Sequence, residues 1–266
     1  MATPPAPILY LPHGGGPLPL LADPGHRAMT DFLQTIPQRL GTPEAIVVIS
    51  AHWEAPVVTV TSGAQPALIY DYYGFPPESY SIEYPAPGAP ALAETILKHL
   101  AAAGIDAQGD RDRGFDHGLF IPLKLMYPDA SIPCLQIALQ QEMDPGQHLA
   151  IGQALAALRE RNILVVGSGL SFHNMQLLRS GDDRYRDDVD AFHHWLIDTC
   201  CHPELTADTR NQRLRDWAQA PGARLCHPRE EHLLPLHLCA GMAGNQPAEV
   251  VFDAPVMGHR AIALLW

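Results

Sequence analysis

Residues 6–11, 45–50, 57–61, 132–139, 163–167, 249–253 and 261–266 are short runs dominated by Val, Ile, Leu and Ala with almost no charge. A strand with one wet face alternates apolar and polar residues, whereas an uninterrupted apolar run needs cover on both faces. Between these runs the period changes. Leu92, Ile96, Leu97 and Leu100 recur at helical spacing, with Pro90 suited to a first turn and Gly104 to a stop, and residues 145–162 repeat the pattern through Leu149, Leu155 and Leu158. Strands alternating with helices predict an α/β fold: one domain over residues 1–266, with a central, mostly parallel sheet flanked by helices. In such sheets ligands bind beyond the carboxyl ends of the strands, which is where a site is expected.

The bulk composition narrows the partners. The chain carries 17 Lys and Arg against 29 Asp and Glu, a net charge of −12, which argues against a nucleic-acid partner and for a small molecule. Its five cysteines, Cys134, Cys200, Cys201, Cys226 and Cys239, are odd in number and form no CxxC pair, so neither a disulfide framework nor a thiolate zinc site is expected. With no basic, apolar leader and no run of about 18 apolar residues, a cytoplasmic protein without a membrane partner is expected. Oligomeric state is not legible.

The compositional oddity is fourteen histidines. His13, His52 and His173 each follow an apolar strand by a few residues, so all three can converge on one crevice. The glycines after His13 do not make a phosphate cradle, because "HGGGP" matches neither GxGxxG nor GxxxxGK[ST]. They are expected instead to permit positive φ and to let a bulky ligand approach the backbone. His117 follows Asp116 at the start of an apolar helix, so Asp116 can be its cap, its carboxylate partner, or both. In "REEHLLPLHLCAG", a helical reading separates Glu231 and His232 by roughly 100°, so one of the two faces a site, while His237 is structural. The "FHHW" pair at 192–195 and His202 read as surface or packing residues, in a polar region over 176–230 with two helices.

Residues 62–90 hold six prolines and five tyrosines with no clear period. A segment that long without regular structure reads as a functional loop or lid. Tyr72, Tyr73 and Phe75 are its candidates for contact with a planar substrate.

Taken together, "PHGGGP", "SAHWE", "YDYYGFPPE", "YPAPGAP", "GFDHGLFIPLKLMYPDA", "GSGLSFHNM" and "EEHLLPLHLCAG" carry a resemblance that runs through nearly the whole chain in unbroken order. The chain resembles the DOPA-dioxygenase-type branch of the class III extradiol ring-cleaving dioxygenases and, more distantly, the catalytic subunit of protocatechuate 4,5-dioxygenase. The resemblance implies an α/β catalytic domain around one metal ion, usually Fe(II), with Zn(II) as an alternative occupant, acting on a catechol and O2. It implies His13, His52 and His232 as metal ligands. His173 becomes the acid/base residue or a further histidine of the metal site, and His117 a substrate-contacting residue or one packed behind the ligands. Better-known members of the class use a glutamate as third ligand, which keeps Glu231 as an alternative to His232.

Two other classes of function are weighed against this. Zinc-dependent hydrolysis, with His173 or Glu231 as base, lacks an HExxH motif. A non-enzymatic metal-binding relative would carry cysteine at a ligand position, and none lies at 231 or 232.

Overall fold

The computed structural model describes residues 5–181 and 184–266. Its frame is one eight-stranded sheet in the order β4-β3-β5-β2-β6-β1-β8-β7. The strands are β1 (Ile8–Pro12), β2 (Ala45–Ala55), β3 (Val58–Thr61), β4 (Ala107–Asp110), β5 (Cys134–Gln140), β6 (Ile163–Gly169), β7 (Glu249–Val256) and β8 (His259–Leu265). The centre, β5-β2-β6-β1, is parallel throughout, while β8 joins β1 and β7 joins β8 antiparallel.

The runs in β1, β2, β5 and β6 form the covered centre, as their lack of alternation requires, whereas residues 249–253 fall in the partly exposed edge strand β7. Ile46, Val47, Val48 and Ile49 are fully buried, the even-numbered pair packing into one layer with Leu9, Leu11 and Phe120 and the odd-numbered pair into the other with Leu135, Val165 and Leu238. Burying each such side chain is worth about 1.5–3 kcal/mol, so the central strands carry much of the stability. Strand β4 was not expected. Its sequence, AQGD, is polar and half-exposed, because an edge strand needs backbone partners more than apolar side chains.

The helices also differ from expectation in detail. The 145–162 segment divides into a helix over Pro145–Ala154, capped by Asp144 through the Gln147 N–H, and a 3-10 turn over Ala156–Glu160. Instead of two helices, the polar region holds Met175–Ser180, Arg186–Cys201, Ala207–Arg215 and Ala223–Cys226. These pack a third core, around Phe192, Leu196 and Trp217, against the β1-β8 side of the sheet. Among the described residues no helix is long and apolar enough to cross a membrane.

Residues 62–90 form a fixed cover. Tyr70 Oη donates to the Ile82 carbonyl, Tyr72 Oη to that of Ser79 and Tyr84 Oη to that of Tyr127, and Lys124 Nζ holds the carbonyl of Glu83. The tyrosines that made the segment look like a substrate lid are in large part its own internal ties.

Candidate metal centre

Strand β6 lies between β1 and β2, so the chain leaves the two outer strands on either side of it. Ser168 of β6 is level with Leu11 in β1 and Ser50 in β2, and His13 and His52 follow just beyond this rung. The Nε2 atoms of His13 and His52 face each other at 2.9 Å. His232 joins them, its ring centre 5.2 Å from that of His13 and 5.0 Å from that of His52, and one ligand atom from each of the three lies within 4.8 Å of the others.

What carries His232 there is a turn. Glu231 and His232 precede the helix Leu234–Ala243 instead of lying inside it, so the expected 100° divergence does not apply and both side chains reach the centre. The His232 carbonyl is held by Tyr10 Oη at 2.9 Å and by the Leu170 N–H at 3.2 Å. Gly169 leaves room for it: a Cβ at that position would stand 2.1 Å from the same carbonyl oxygen.

The hydrogen bonds on the far side of each ring define which nitrogen is free. Ser168 Oγ donates to the carbonyl of Gly118, so toward His13 Nδ1, 3.0 Å away, it must accept. The proton of His13 therefore sits on Nδ1, and Nε2 keeps its lone pair. Glu231 Oε1 lies 3.0 Å from His232 Nδ1 and can only accept, which leaves His232 Nε2 likewise free. Burial, followed by the neighbouring imidazoles, holds His13 and His52 well below the ordinary histidine pKa. Burial and His173 push His232 down to about 3 despite Glu231. Neutral imidazoles, with the outer N–H engaged as in His13 and His232, are the state in which histidine binds a metal.

The two remaining site histidines flank this group. His173 stacks on His232 with ring centres 3.4 Å apart, and His117 faces His52 at 3.8 Å. Each has a carboxylate at Nδ1. Glu231 Oε1 is 3.0 Å from His173 Nδ1, and Asp71 Oδ1 is 2.9 Å from His117 Nδ1. Burial raises both carboxyl pKa values, but the histidine N–H groups outweigh it, so Glu231 and Asp71 lie below the usual carboxylate range.

Asp71 is the residue that sequence reasoning missed. Asp116, the expected neighbour of His117, caps its helix through the Gly118 N–H and takes a hydrogen bond from Ser50 Oγ at 2.7 Å, while the imidazole pairs with Asp71 from the cover. A lone carboxylate within "YDYYGFP" was the available signal. Ser168 was also missed, although a hydroxyl between two glycines at the end of a buried strand is itself unusual.

Two expectations about the surroundings change. Tyr73 is 88% exposed, whereas Tyr72 is buried 5.8 Å from the His117 ring and Phe75 packs on Tyr72 at 5.5 Å. Gly14 and Gly16 have the expected positive φ, at 83° and 57°. Their clearance, however, is filled by protein: a Cβ on Gly14 would meet Pro19 and His26 within 2.8 Å, and Gly16 packs against Phe75.

Comparison with known proteins gives consistent matches over this whole frame. Residues 7–260 match the family described as the catalytic LigB subunit of aromatic ring-opening dioxygenase. The chain is 42% identical to dioxygenase tasH of Hapsidospora irregularis, over 98% of this chain and 85% of that one. It is 35% identical to the 4,5-DOPA dioxygenase extradiol of Beta vulgaris, over 94% and 93% of the two chains. Among solved structures, an uncharacterized protein from Escherichia coli K12 superposes with a TM-score of 0.80 at 30% identity, covering 98% of this chain and 99% of that one.

Proposed function

This chain belongs to the family of the catalytic LigB subunit of aromatic ring-opening dioxygenases and is an extradiol ring-opening dioxygenase; from that premise we propose that it cleaves a catechol with O2, using Fe(II) held by His13, His52 and His232. The observation that carries the ligand assignment is the proton placement: Ser168 and Glu231 occupy the Nδ1 atoms of His13 and His232, leaving both Nε2 lone pairs free beside His52. Glu231 serves as the outer partner of His232, so the donor set is three imidazoles.

Bound there, Fe(II) would supply the electronic link between an aromatic diol and O2 and leave coordination positions open to both. The protein's task is proton handling and placement. His173, whose Nδ1 lies 3.0 Å from Glu231 Oε1, offers Nε2 to take a proton from one substrate hydroxyl and return it to the product. His117, whose Nδ1 lies 2.9 Å from Asp71 Oδ1, offers Nε2 to the other hydroxyl. Tyr72 and Phe75 form the apolar side of the cover, against which the ring is held and water kept out.

Three imidazoles suit zinc as well as iron, so the test must separate the metals. Protein loaded anaerobically with Fe(II) is expected to take up O2 and form a yellow ring-opened product with at least one member of a catechol panel, and the zinc-loaded protein to do neither. Absence of O2 uptake with every catechol would reject the proposal. Zinc-supported hydrolytic turnover without O2 uptake would establish a metal hydrolase instead.

A further inference from the structure

The pairing of each flanking histidine with a carboxylate makes a symmetry across the centre. His173 stacks on His232 and shares Glu231 with it; His117 faces His52, and Asp71 stands beside both, 2.9 Å from His117 Nδ1 and 3.9 Å from His52 Nδ1. Glu231 reaches its place from the turn that also carries His232. Asp71 has no such neighbour in sequence and is delivered by the cover.

The delivery is built. Phe115 pairs with the cover as an isolated parallel bridge to Leu68, with the Ile69 N–H donating to the Phe115 carbonyl and the Phe115 N–H to that of Ala67, both at 2.8 Å. This short ladder ends beside residue 117, the first residue of the helix His117–Met126, whose early N–H groups have no intrahelical acceptor. Asp71 Oδ1 accepts the His117 backbone N–H at 3.0 Å while lying 2.9 Å from Nδ1 of the same residue. One oxygen thus holds the His117 main chain, next to Asp116 capping the same helix, and stands against the ring as a close ionic contact: Nδ1 itself has no hydrogen-bond partner, but a carboxylate 2.9 Å away disfavours a lone pair there. A second carboxylate at a helix N-terminus is electrostatically favoured, so the grip costs the helix nothing.

We propose that Asp71 is a positioning residue for ring cleavage: from the cover, it fixes the His117 ring with its proton on Nδ1, leaving Nε2 as the acceptor for a substrate hydroxyl. The inference rests on the proposed role of His117. It makes the cover part of the proton-handling machinery and gives the site two oriented acceptors, one for each hydroxyl of a vicinal diol.

Zinc-loaded protein with 15N-labelled histidine tests this without turnover. Two-bond 15N–1H correlations report the tautomer, and the His117 signals are those lost in His117→Gln. We expect His117 to carry its proton on Nδ1 in the unaltered chain, to keep that tautomer in Asp71→Asn, whose amide oxygen still accepts, and to lose it in Asp71→Ala. In the iron-loaded enzyme, kcat is expected to fall about 10- to 100-fold in Asp71→Ala and less in Asp71→Asn, with metal stoichiometry unchanged. An unaltered His117 tautomer in Asp71→Ala would overturn the proposal. So would a rise in KM at constant kcat, which would reduce Asp71 to a tie for the cover, or a loss of zinc, which would make it part of the metal-binding set. Failure of the unaltered enzyme to cleave any catechol would reject the parent function, while the tautomer would still decide the role of Asp71.

Discussion

At the carboxyl end of the sheet His13, His52 and His232 turn nitrogens toward one another, whereas His193 and His237, buried against the helical flank, turn theirs toward carbonyls and hydroxyls. His193 donates from Nδ1 to the Val189 carbonyl at 2.8 Å and accepts at Nε2 from Ser171 Oγ at 2.9 Å. His237 donates from Nε2 to the Leu214 carbonyl at 2.8 Å. His26 behaves likewise, giving its Nδ1 proton to Asp23 and receiving the Gly15 N–H at Nε2. His193 and His26 are satisfied at both nitrogens as the protein stands. In the centre, His13 and His232 are held on the outer side by Ser168 and Glu231, so their inner nitrogens gain a partner when something else arrives. An unpartnered nitrogen alone does not mark a ligand, since His227 is fully buried in the flank with Nδ1 unpaired; what marks the centre is that three imidazoles turn nitrogens toward one point.

The contrast can be broken most directly by deletion. His13→Ala, His52→Ala and His232→Ala should each lose metal and activity by more than the roughly 100-fold that removal of an outer partner costs. Metal-free thermal midpoints should fall for His13→Ala and His232→Ala, which lose the outer hydrogen bonds to Ser168 and Glu231 and leave a void, and least for His52→Ala, whose outer nitrogen lies 3.9 Å from its nearest carboxylate. Metal analysis beside differential scanning calorimetry checks both halves.

Truncation in the flank should destabilise without loss of metal. His237→Ala strands the Leu214 carbonyl and opens a void, so a destabilisation of about 2–4 kcal/mol is expected in urea titration, with metal stoichiometry retained. Ser168→Ala sharpens the comparison by releasing the proton on His13 Nδ1 while leaving all three ligands in place. Metal affinity should weaken about 10- to 100-fold, measured by competition with a chelator.

Acid offers a smaller, graded test. Burial lowers His193 and His237 to about 4 from an ordinary 6.5. Between those values the unfolded chain binds protons that the native rings refuse, so stability should fall as pH drops from 6.5 toward 4 and level off below. His193→Gln should flatten this slope in metal-free protein followed by thermal midpoint. The smallest effect belongs to Tyr73→Ala: an 88% exposed side chain should change stability by less than about 0.5 kcal/mol and leave KM for a catechol unaltered. Phe75→Ala, packed on Tyr72 and Gly16, should raise KM.

The sequence by itself determined the frame and the cast. Unbroken apolar runs have no face to give to water, so β1, β2, β5 and β6 had to become covered central strands, and His13, His52 and His173 had to emerge at their ends. Motif order along the chain carried His117 and His232. Only the tertiary structure decided proton placement and pairing. Ser168 reaches His13 because β6 lies between β1 and β2, a matter of strand order across 155 positions of sequence. Asp71 rather than Asp116 meets His117 because the cover is laddered to Phe115. Glu231 and His232 converge because a turn, not a helix, presents them. Patterns of hydropathy report which faces are buried, since burial is a property of each residue in its local period. The direction of a ring nitrogen depends on which distant hydroxyl or carboxylate stands behind it, and folding alone sets that.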